Sequence, residues 1–196
     1  MDPPAAETGR APTATRILDA AQAQIQRRGY NAVSYGDLAG ALDLTTAAIH
    51  YHFPTKADLG QALVARYCEQ NAAMRSAIWT EEDDVRGRLE RYVDGYVEIL
   101  ERGGLCLCGV LAADDETLPD PVRREVCRFF SEQEDWLTNV IAEAHGDGTA
   151  LAGYETPREV AELLLATIEG AMLTARDRGP DVYRARLHRL IDTIVP

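Results

Sequence analysis

The sequence predicts an all-α protein. Apolar residues recur every three or four positions along most of the 196-residue chain, the spacing that gives a helix one buried face. Hydroxyl residues that cap helices and Gly or Pro residues that end them separate these stretches, and no stretch alternates apolar and polar residues as a half-buried strand does. The expected architecture is a small N-terminal helix-turn-helix domain followed by a larger helical domain, with about nine helices.

The first residues are expected to be unstructured, and the first helix follows them. Residues 1–12 are rich in Pro, Ala and Thr and lack the apolar core of a signal peptide, so they are predicted to form a disordered arm. Ile17, Ala21 and Ile25 then repeat at helical spacing, and Gly29 marks the end of this helix. The predicted DNA-binding domain covers residues 13–60.

Two capping boxes frame the next part of the chain. Ser34 precedes Asp37 by three residues, and Thr55 precedes Asp58 by the same distance. In each pair the hydroxyl accepts a free backbone N–H of the first helical turn, and the carboxylate accepts the N–H of the capping residue. Helices are therefore predicted to begin at both places.

A second short helix is predicted between the two boxes. Residues 41–44 are few enough to turn one helix across the next, and either Thr45 or Thr46 can cap the helix that follows. Pro54 ends it, because proline cannot donate the backbone hydrogen bond that a continuing helix needs. This order of elements is a helix-turn-helix.

The outer face of this short helix has the chemistry of a DNA-reading surface. Ile49 and Phe53 lie four residues apart and are expected to face the core, which leaves on the outside Thr45, Thr46, Ala48 and His50. Threonine can hydrogen-bond base edges or contact a thymine methyl, and Tyr51 and His52 carry donors for phosphate oxygens. Lys56, the only lysine of the chain, falls at the start of the next helix, where the helix dipole favours an anion.

Residues 15–67 resemble the N-terminal domain of the TetR family of bacterial transcriptional regulators. The resemblance includes the first helix, its closing Gly29-Tyr30 pair, and the His-Phe-x-x-Lys signature at His52, Phe53 and Lys56. It implies a homodimeric regulator of double-stranded operator DNA, most often a repressor that a small molecule releases.

The resemblance also implies individual roles. Ser34 and Tyr35 would open their helix against the DNA backbone, whereas bases would be faced by Thr45, Thr46 and Ala48 and phosphates held by Tyr51, His52 and Lys56. The chain departs from the common pattern at Thr46 and Ala47, where a basic residue and a glycine are frequent, and at Pro54, where glycine often stands. The base sequence of the operator is therefore not predicted.

The distribution of charge is uneven. The net charge is −12, yet residues 1–56 contain five basic and five acidic residues, so the whole excess of negative charge lies in residues 57–196. This excludes a strongly basic nucleic-acid coat protein and predicts weak non-specific DNA binding, because few cations are available to displace counterions. No apolar run approaches the roughly 20 residues of a membrane span. A cytoplasmic protein without membrane contact is expected.

The remaining residues, 61–196, are predicted to form a helical effector-binding and dimerisation domain. A connecting helix runs over residues 56–79, and the next helix ends at Gly103-Gly104. A long helix follows Pro119 and Pro121, then a loop over residues 145–157, and two closing helices over residues 157–178 and 180–195.

Two sites are predicted in this domain, each with a plain packing alternative. An effector pocket, suited to a small and mostly hydrophobic or aromatic molecule, would be lined by Tyr92, Tyr96, Cys106, Phe129, Phe130, Trp136 and Leu137. The alternative is that these residues are simply core. A homodimer interface would include Leu165, Glu169, Met172 and Leu187, and the alternative there is that the closing helices only complete the core of one chain.

Two further classes of function stay open. Cys106 and Cys108 are one residue apart, which fits neither a CxxC redox motif nor a zinc site, so they are either small buried residues or, at Cys106, a sensor of electrophiles or oxidants within a repressor. No phosphate-binding loop or nucleophile motif is present, and His50 and His52 point apart, so neither an enzyme, a cofactor nor a metal is expected. A helical adaptor that binds proteins and not DNA is the remaining alternative.

Overall fold

The computed structural model describes residues 12–145 and 153–195, and these residues form nine α-helices without a strand. The helices are α1 (Thr13–Arg28), α2 (Tyr35–Leu42), α3 (Thr46–His52), α4 (Lys56–Glu81), α5 (Val85–Glu101), α6 (Leu107–Ala113), α7 (Asp120–His145), α8 (Pro157–Ala175) and α9 (Pro180–Ile194). The all-α prediction is confirmed. The predicted arm, apart from Pro12, and most of the predicted loop at 145–157 lie outside the described residues.

Helices α1 to α3 form a small unit, here called the head, around its own core. Ile17, Ile25, Leu38 and Ile49 are buried where the three helices meet. Burial of one face from each helix is what holds such short helices in place, since an isolated helix of seven or eight residues is unstable in water. The outer side of α3 is thereby left at the surface.

The predicted caps set the ends of the head helices. Ser34 and Asp37 form a complete capping box at the start of α2, and the hydroxyl of Thr45 accepts the backbone N–H of Ala48 at the start of α3. Asp43 adopts a left-handed conformation, with φ of 54°, and ends α2 so that the chain can turn across it. These features confirm the predicted helix-turn-helix.

Helix α4 connects the head to the rest of the molecule without a break. Thr55 and Asp58 form its capping box, and Leu59, Leu63 and Tyr67 are buried along it. The predicted boundary between residues 60 and 61 falls inside this helix. Because α4 is continuous, a change in its direction would move the head relative to the body.

Helices α5 to α9, here called the body, pack into a bundle with one continuous core. Helix α7 lies against both α8 and α4, and α5 lies against α9. The sequence pattern did not delimit α6, because its seven residues Leu107–Ala113 are too short to show a helical period and contain no polar face. In the part of the chain that the structure describes, no helix is long and apolar enough to cross a membrane.

Close packing where α4 crosses α7 depends on Gly60. A Cβ atom at this position would lie 2.9 Å from Val122 Cγ2 and 3.2 Å from the ring of Tyr30. Both neighbours are buried, and the hydroxyl of Tyr30 donates a hydrogen bond to the carbonyl of Lys56 at 2.8 Å, so neither can move freely. The two helices and the ring therefore leave no room for a side chain.

We predict that Gly60→Ala destabilises the protein. Overpacking of a filled site costs about 1 to 3 kcal/mol, more than the roughly 0.5 to 1 kcal/mol by which alanine favours a helix over glycine. In a chain of this size each kcal/mol lowers Tm by roughly 2 to 4 °C. Gly40→Ala is the matched control, because Gly40 lies in α2 with nothing within 4 Å of the added atom, and it is expected to raise Tm. Equal Tm changes in the two variants would contradict the packing described here.

Candidate nucleic-acid interface and effector cavities

The outer face of α3 is a small, polar surface. Thr45 and Thr46 are exposed, Ala48 is partly exposed, and Ile49 on the opposite side is buried. Because the side chains in the first turn of this face are short, the backbone of α3 can approach a partner closely. These three residues lie on the outer side of α3, as the helical spacing predicts, and their contact with bases stays a prediction.

Tyr51 and His52 close α3. Tyr51 is 84% exposed, the most exposed large hydrophobic residue in the described chain. Its ring meets the ring of His52 edge to face, with centroids 5.2 Å apart. Single exposed hydrophobic residues are normal on protein surfaces, so this exposure shows only that the Tyr51 side chain is accessible to a partner.

Tyr35 and His50 have partners inside the head. The hydroxyl of Tyr35 donates to the carbonyl of Phe53 at 2.8 Å, and burial raises the pKa of Tyr35 to about 12. The ring of Tyr35 packs against that of His50 at 4.6 Å, and His50 Nδ1 lies 3.1 Å from the carbonyl of Pro54. Both residues therefore fix the end of α3 against α2, whatever DNA contacts they also make.

Ser34 and Lys56 lie at the two helix starts that flank α3. The hydroxyl of Ser34 is exposed and is used in its capping box. Lys56 Nζ lies 4.4 Å above the ring of Tyr30, a cation–π contact that holds the side chain on the head. Partial burial lowers the pKa of Lys56, although the carboxylates of Asp114 and Asp37 act in the opposite direction. The lysine is thus positioned at the first turn of α4 before any partner arrives.

Most of the predicted effector-pocket residues are core. Tyr92, Tyr96, Phe129 and Leu137 are at most 3% exposed, and Phe130 is half-buried against Phe129. The hydroxyl of Tyr92 lies 3.0 Å from that of Tyr96 and donates to Gln133 Oε1 at 2.9 Å. Their burial and these contacts agree with the packing alternative, and a role of these five residues in an effector pocket stays a prediction.

The other two predicted residues, Cys106 and Trp136, line two separate cavities. Trp136 borders a cavity of about 510 Å³ between α4 and α7, together with Trp79 and the ion pair of Arg75 with Glu132. Cys106 borders a cavity of about 360 Å³, here called the junction cavity because it lies between α1 of the head and α6 and α8 of the body. Both volumes are typical of sites for small molecules.

The junction cavity has a buried inner wall and an exposed outer wall. Cys106 and Met172 on the inner wall are 1% exposed, and Glu169 beside them is largely buried. The outer wall consists of exposed or partly exposed residues: Arg27, Arg28, Ala113, Asp114, Leu173 and Arg176. The cavity therefore has a largely apolar interior with one carboxyl group, that of Glu169, and the amide of Gln26.

Glu169 is unusual among the carboxyl groups. Burial raises its pKa to about 7, and only a hydrogen bond from the Cys106 thiol acts in the opposite direction. The neighbouring ionisable side chains whose pKa the Glu169 charge raises are tyrosines and cysteines: Tyr67 on α4, Tyr92 and Tyr96 on α5, Cys106 and Cys108 at α6, and Tyr183 on α9. None of these groups is a cation, so no counter-ion offsets the burial of the carboxylate.

The cysteines do not have the surroundings of a reactive thiol. Cys106 and Cys108 are buried, and burial raises the pKa of both thiols well above their usual range. The nearby carboxyl of Glu169 raises it further, whereas a sensor thiol is activated by nearby positive charge. Residues 12–145 and 153–195 contain no cluster of His, Cys, Asp and Glu that could hold a metal ion.

The predicted dimer residues are mostly buried in the chain's own core. Leu165, Met172 and Leu187 are between 1 and 4% exposed, and Glu169 faces the junction cavity. They have no surface to offer a partner, because α7 and α5 already cover the apolar sides of α8 and α9. The exposed positions of these helices include Ala166, Gly170 and Leu173 on α8 and Val182, Ala185 and Arg189 on α9. This side of the two helices is here called the closing face.

Comparisons with known proteins agree with this geometry. Residues 17–63 match the family model described as "Bacterial regulatory proteins, tetR family". A transcriptional regulator of the TetR family from Agrobacterium tumefaciens is 32% identical, with 93% of this chain and 97% of that chain covered and a TM-score of 0.86. A TetR transcriptional regulator from Legionella pneumophila is 29% identical over 96% of this chain and 100% of its own, with a TM-score of 0.87. The transcriptional regulator AcuR from Cereibacter sphaeroides is 24% identical over 82% of this chain and 74% of its own.

We predict that Glu169 makes the stability of the protein fall as pH rises. Its folded pKa of about 7 exceeds the ordinary value of 4.5, so the folded protein keeps a proton that the unfolded chain releases between these two pH values. The wild type should therefore lose on the order of 3 kcal/mol relative to Glu169→Gln between pH 4.5 and 8, as measured by urea unfolding at fixed protein concentration. Glu98→Gln, an exposed carboxyl on α5, is the control and should show no such trend. A difference between wild type and Glu169→Gln that stays constant with pH would contradict the buried state of Glu169.

Proposed function

Because this chain belongs to the TetR family of bacterial transcriptional regulators, we propose that it is a homodimeric repressor that a small-molecule effector releases from operator DNA in the cytoplasm. The observation that carries the proposal is the exposed face of α3, where Thr45, Thr46 and Ala48 stand clear of the head between two capped helix starts. Repression is proposed rather than activation because members of the family are most often repressors.

The proposed DNA contacts divide into two kinds. Thr45, Thr46 and Ala48 would lie in the major groove and read bases, since they are short enough to let α3 enter it. Phosphates would be held by residues at the rim of this face: Ser34, Tyr51, His52 and Lys56. The first helical turns after Ser34 and Thr55 keep backbone N–H groups that their caps do not use, and the helix dipole at each start adds to the attraction for phosphate.

The low charge of the head favours a dimer. Residues 1–56 have no net charge, and the body is acidic, so one head would bind DNA weakly and without help from long-range attraction. Two heads that bind two half-sites one helical turn apart combine their binding free energies, so a dimer binds far more tightly than one head. The proposed interface is the closing face, where Ala166 and Gly170 permit close approach and Leu173 is 65% exposed.

The proposed release mechanism uses the continuity of α4. An effector bound in the body would change the tilt of this helix and so the separation of the two heads, while the operator keeps its own half-site spacing. A coupling of roughly 1 to 3 kcal/mol between effector and DNA is typical of such regulators. Structures of the free and effector-bound dimer that have the same head separation would contradict this mechanism.

We predict that removing single groups at the rim of α3 weakens DNA binding and leaves the fold intact. Tyr51→Phe deletes one exposed hydroxyl, which should cost about 1 kcal/mol per protomer and roughly 30-fold in Kd for a dimer. Lys56→Met keeps the packing over Tyr30 and removes the charge, so the slope of log K against log salt should fall by about 2. Fluorescence anisotropy on DNA from upstream of the gene, against scrambled DNA, measures both effects.

The control for this prediction is Arg91→Met, which removes a positive charge from the exposed surface of α5 and should leave the salt slope unchanged. If the upstream fragment shows no preference, selection of bound fragments from the whole genome locates a distant operator. A failure of that selection to enrich any sequence would contradict the repressor and favour the helical adaptor.

We predict that Ala166→Arg separates the dimer. The arginine would project from the closing face, where an exposed alanine allows two helices to meet closely, and it has no effect on the chain's own core. Sedimentation should show monomers for this variant and dimers for the wild type and for Ala73→Arg, a matched change on the exposed side of α4. A dimer that tolerates Ala166→Arg would place the interface elsewhere.

A further inference from the structure

Several buried polar atoms around Glu169 and the junction cavity have no hydrogen-bond partner. They include Glu169 Oε1, Gln26 Nε2, Gln133 Nε2 and the hydroxyl of Tyr183, and each is shielded from solvent. A buried polar group without a partner costs roughly 1 to 3 kcal/mol, and such groups are few in a native protein. Glu169 and Gln26 both line the junction cavity, and of these two only Glu169 can carry a charge.

The backbone of α6 comes close to this carboxyl group at Gly109. A Cβ atom at position 109 would overlap Glu169 Oε2, so with any other residue at 109 the carboxyl would have to leave its present position. Cys106, one turn earlier on the same side of α6, contributes a weak thiol donor to Glu169. The pair hold the carboxyl in place, and neither supplies a charge that would balance it.

The remaining inner wall suits the apolar part of a ligand. It is formed by Leu105, Cys106 and Met172, all buried, with the half-buried Val110 beside them. A molecule that fills this space would bring hydrocarbon to these side chains and a hydrogen-bond donor to Glu169. A positively charged donor is favoured over a neutral one, because a charge-assisted hydrogen bond is about twice as strong.

The three arginines of the outer wall do not satisfy Glu169. Arg27 donates to the carbonyl of Arg102 at 2.7 Å, and Arg176 donates to the carbonyl of Arg27 at 3.0 Å. Arg28 donates to the carbonyl of Ala32 and lies 3.6 Å from a carboxylate oxygen of Asp37. All three side chains are exposed, so water screens their repulsion of a cation held at the inner wall.

We propose that the junction cavity binds a small organic amine that carries one positive charge and an apolar body, with Glu169 as the group that recognises the ammonium. The inference rests on the proposed function, for which it names the chemical class of the effector. The site also explains how binding reaches the head, because the last turn of α1, residues 26–29, forms one of its walls.

The test compares three probes of the same shape: 3-phenylpropylamine, 3-phenylpropan-1-ol and 3-phenylpropanoate. They differ only in an end group that is cationic, neutral or anionic at pH 8. Calorimetric titration of the free dimer, without DNA, should show that the amine binds wild type most tightly and that Glu169→Gln binds it roughly tenfold to hundredfold more weakly. Glu98→Gln is the matched control and should bind the amine as the wild type does.

Each other result would overturn the proposal. Equal binding of the amine and the alcohol would mean that charge is not recognised, and preferential binding of the carboxylate would assign the site to the arginines. Undiminished amine binding by Glu169→Gln would place the ammonium elsewhere, and no heat with any probe at millimolar concentration would mean that the cavity takes no such ligand. Because these titrations contain no DNA, they fail or succeed independently of operator binding, which anisotropy measures in the same preparations.

Discussion

The attachment of Tyr30 to both parts of the molecule is the constraint on which the arrangement depends. Its backbone N–H donates to Asp114 Oδ2 in the body at 3.2 Å, and its hydroxyl donates to the carbonyl of Lys56 at 2.8 Å. The same ring supports the ammonium of Lys56 and packs against Gly60. Rotation of the Tyr30 side chain would break the hydrogen bond to the Lys56 carbonyl and leave the buried hydroxyl without this partner. The start of α4, the lysine at its first turn and the docking of the head are therefore fixed together.

The head could be predicted from sequence because local rules determine it. A capping box depends on two residues three positions apart, so Ser34 and Thr55 could be assigned correctly without knowledge of the rest. A seven-residue helix has one inner face, so the burial of Ile49 followed as well. The hydrogen bond from Tyr35 to Phe53 could not be foreseen, because it joins residues 18 positions apart on different elements, and no periodicity encodes such a contact.

The body shows why apolar spacing does not identify a site. Met172 and Leu187 have the pattern of an interface, yet helices packed between several neighbours have more than one buried side, and their own chain covers these residues. Tyr92 and Phe129 likewise fill the core. Glu169 is informative for the opposite reason, since its neighbours Cys106 and Gly109 are distant in sequence and come together only in the folded chain. In the sequence, the signal of this site is a single carboxyl residue, Glu169, among the apolar positions of α8.

The unbroken course of α4 has a mechanical consequence. Its 26 residues span about 39 Å at 1.5 Å per residue. A rod of this length converts angle into displacement: rotation by about 5° at one end moves the other by roughly 3.4 Å, which is the rise of one base pair. In a dimer with twofold symmetry the two rods swing in opposite directions, so the error doubles. This length magnifies small movements. A shift of a few tenths of an ångström in the packing of the bundle can therefore change the separation of two paired heads enough that it no longer matches the helical repeat of DNA.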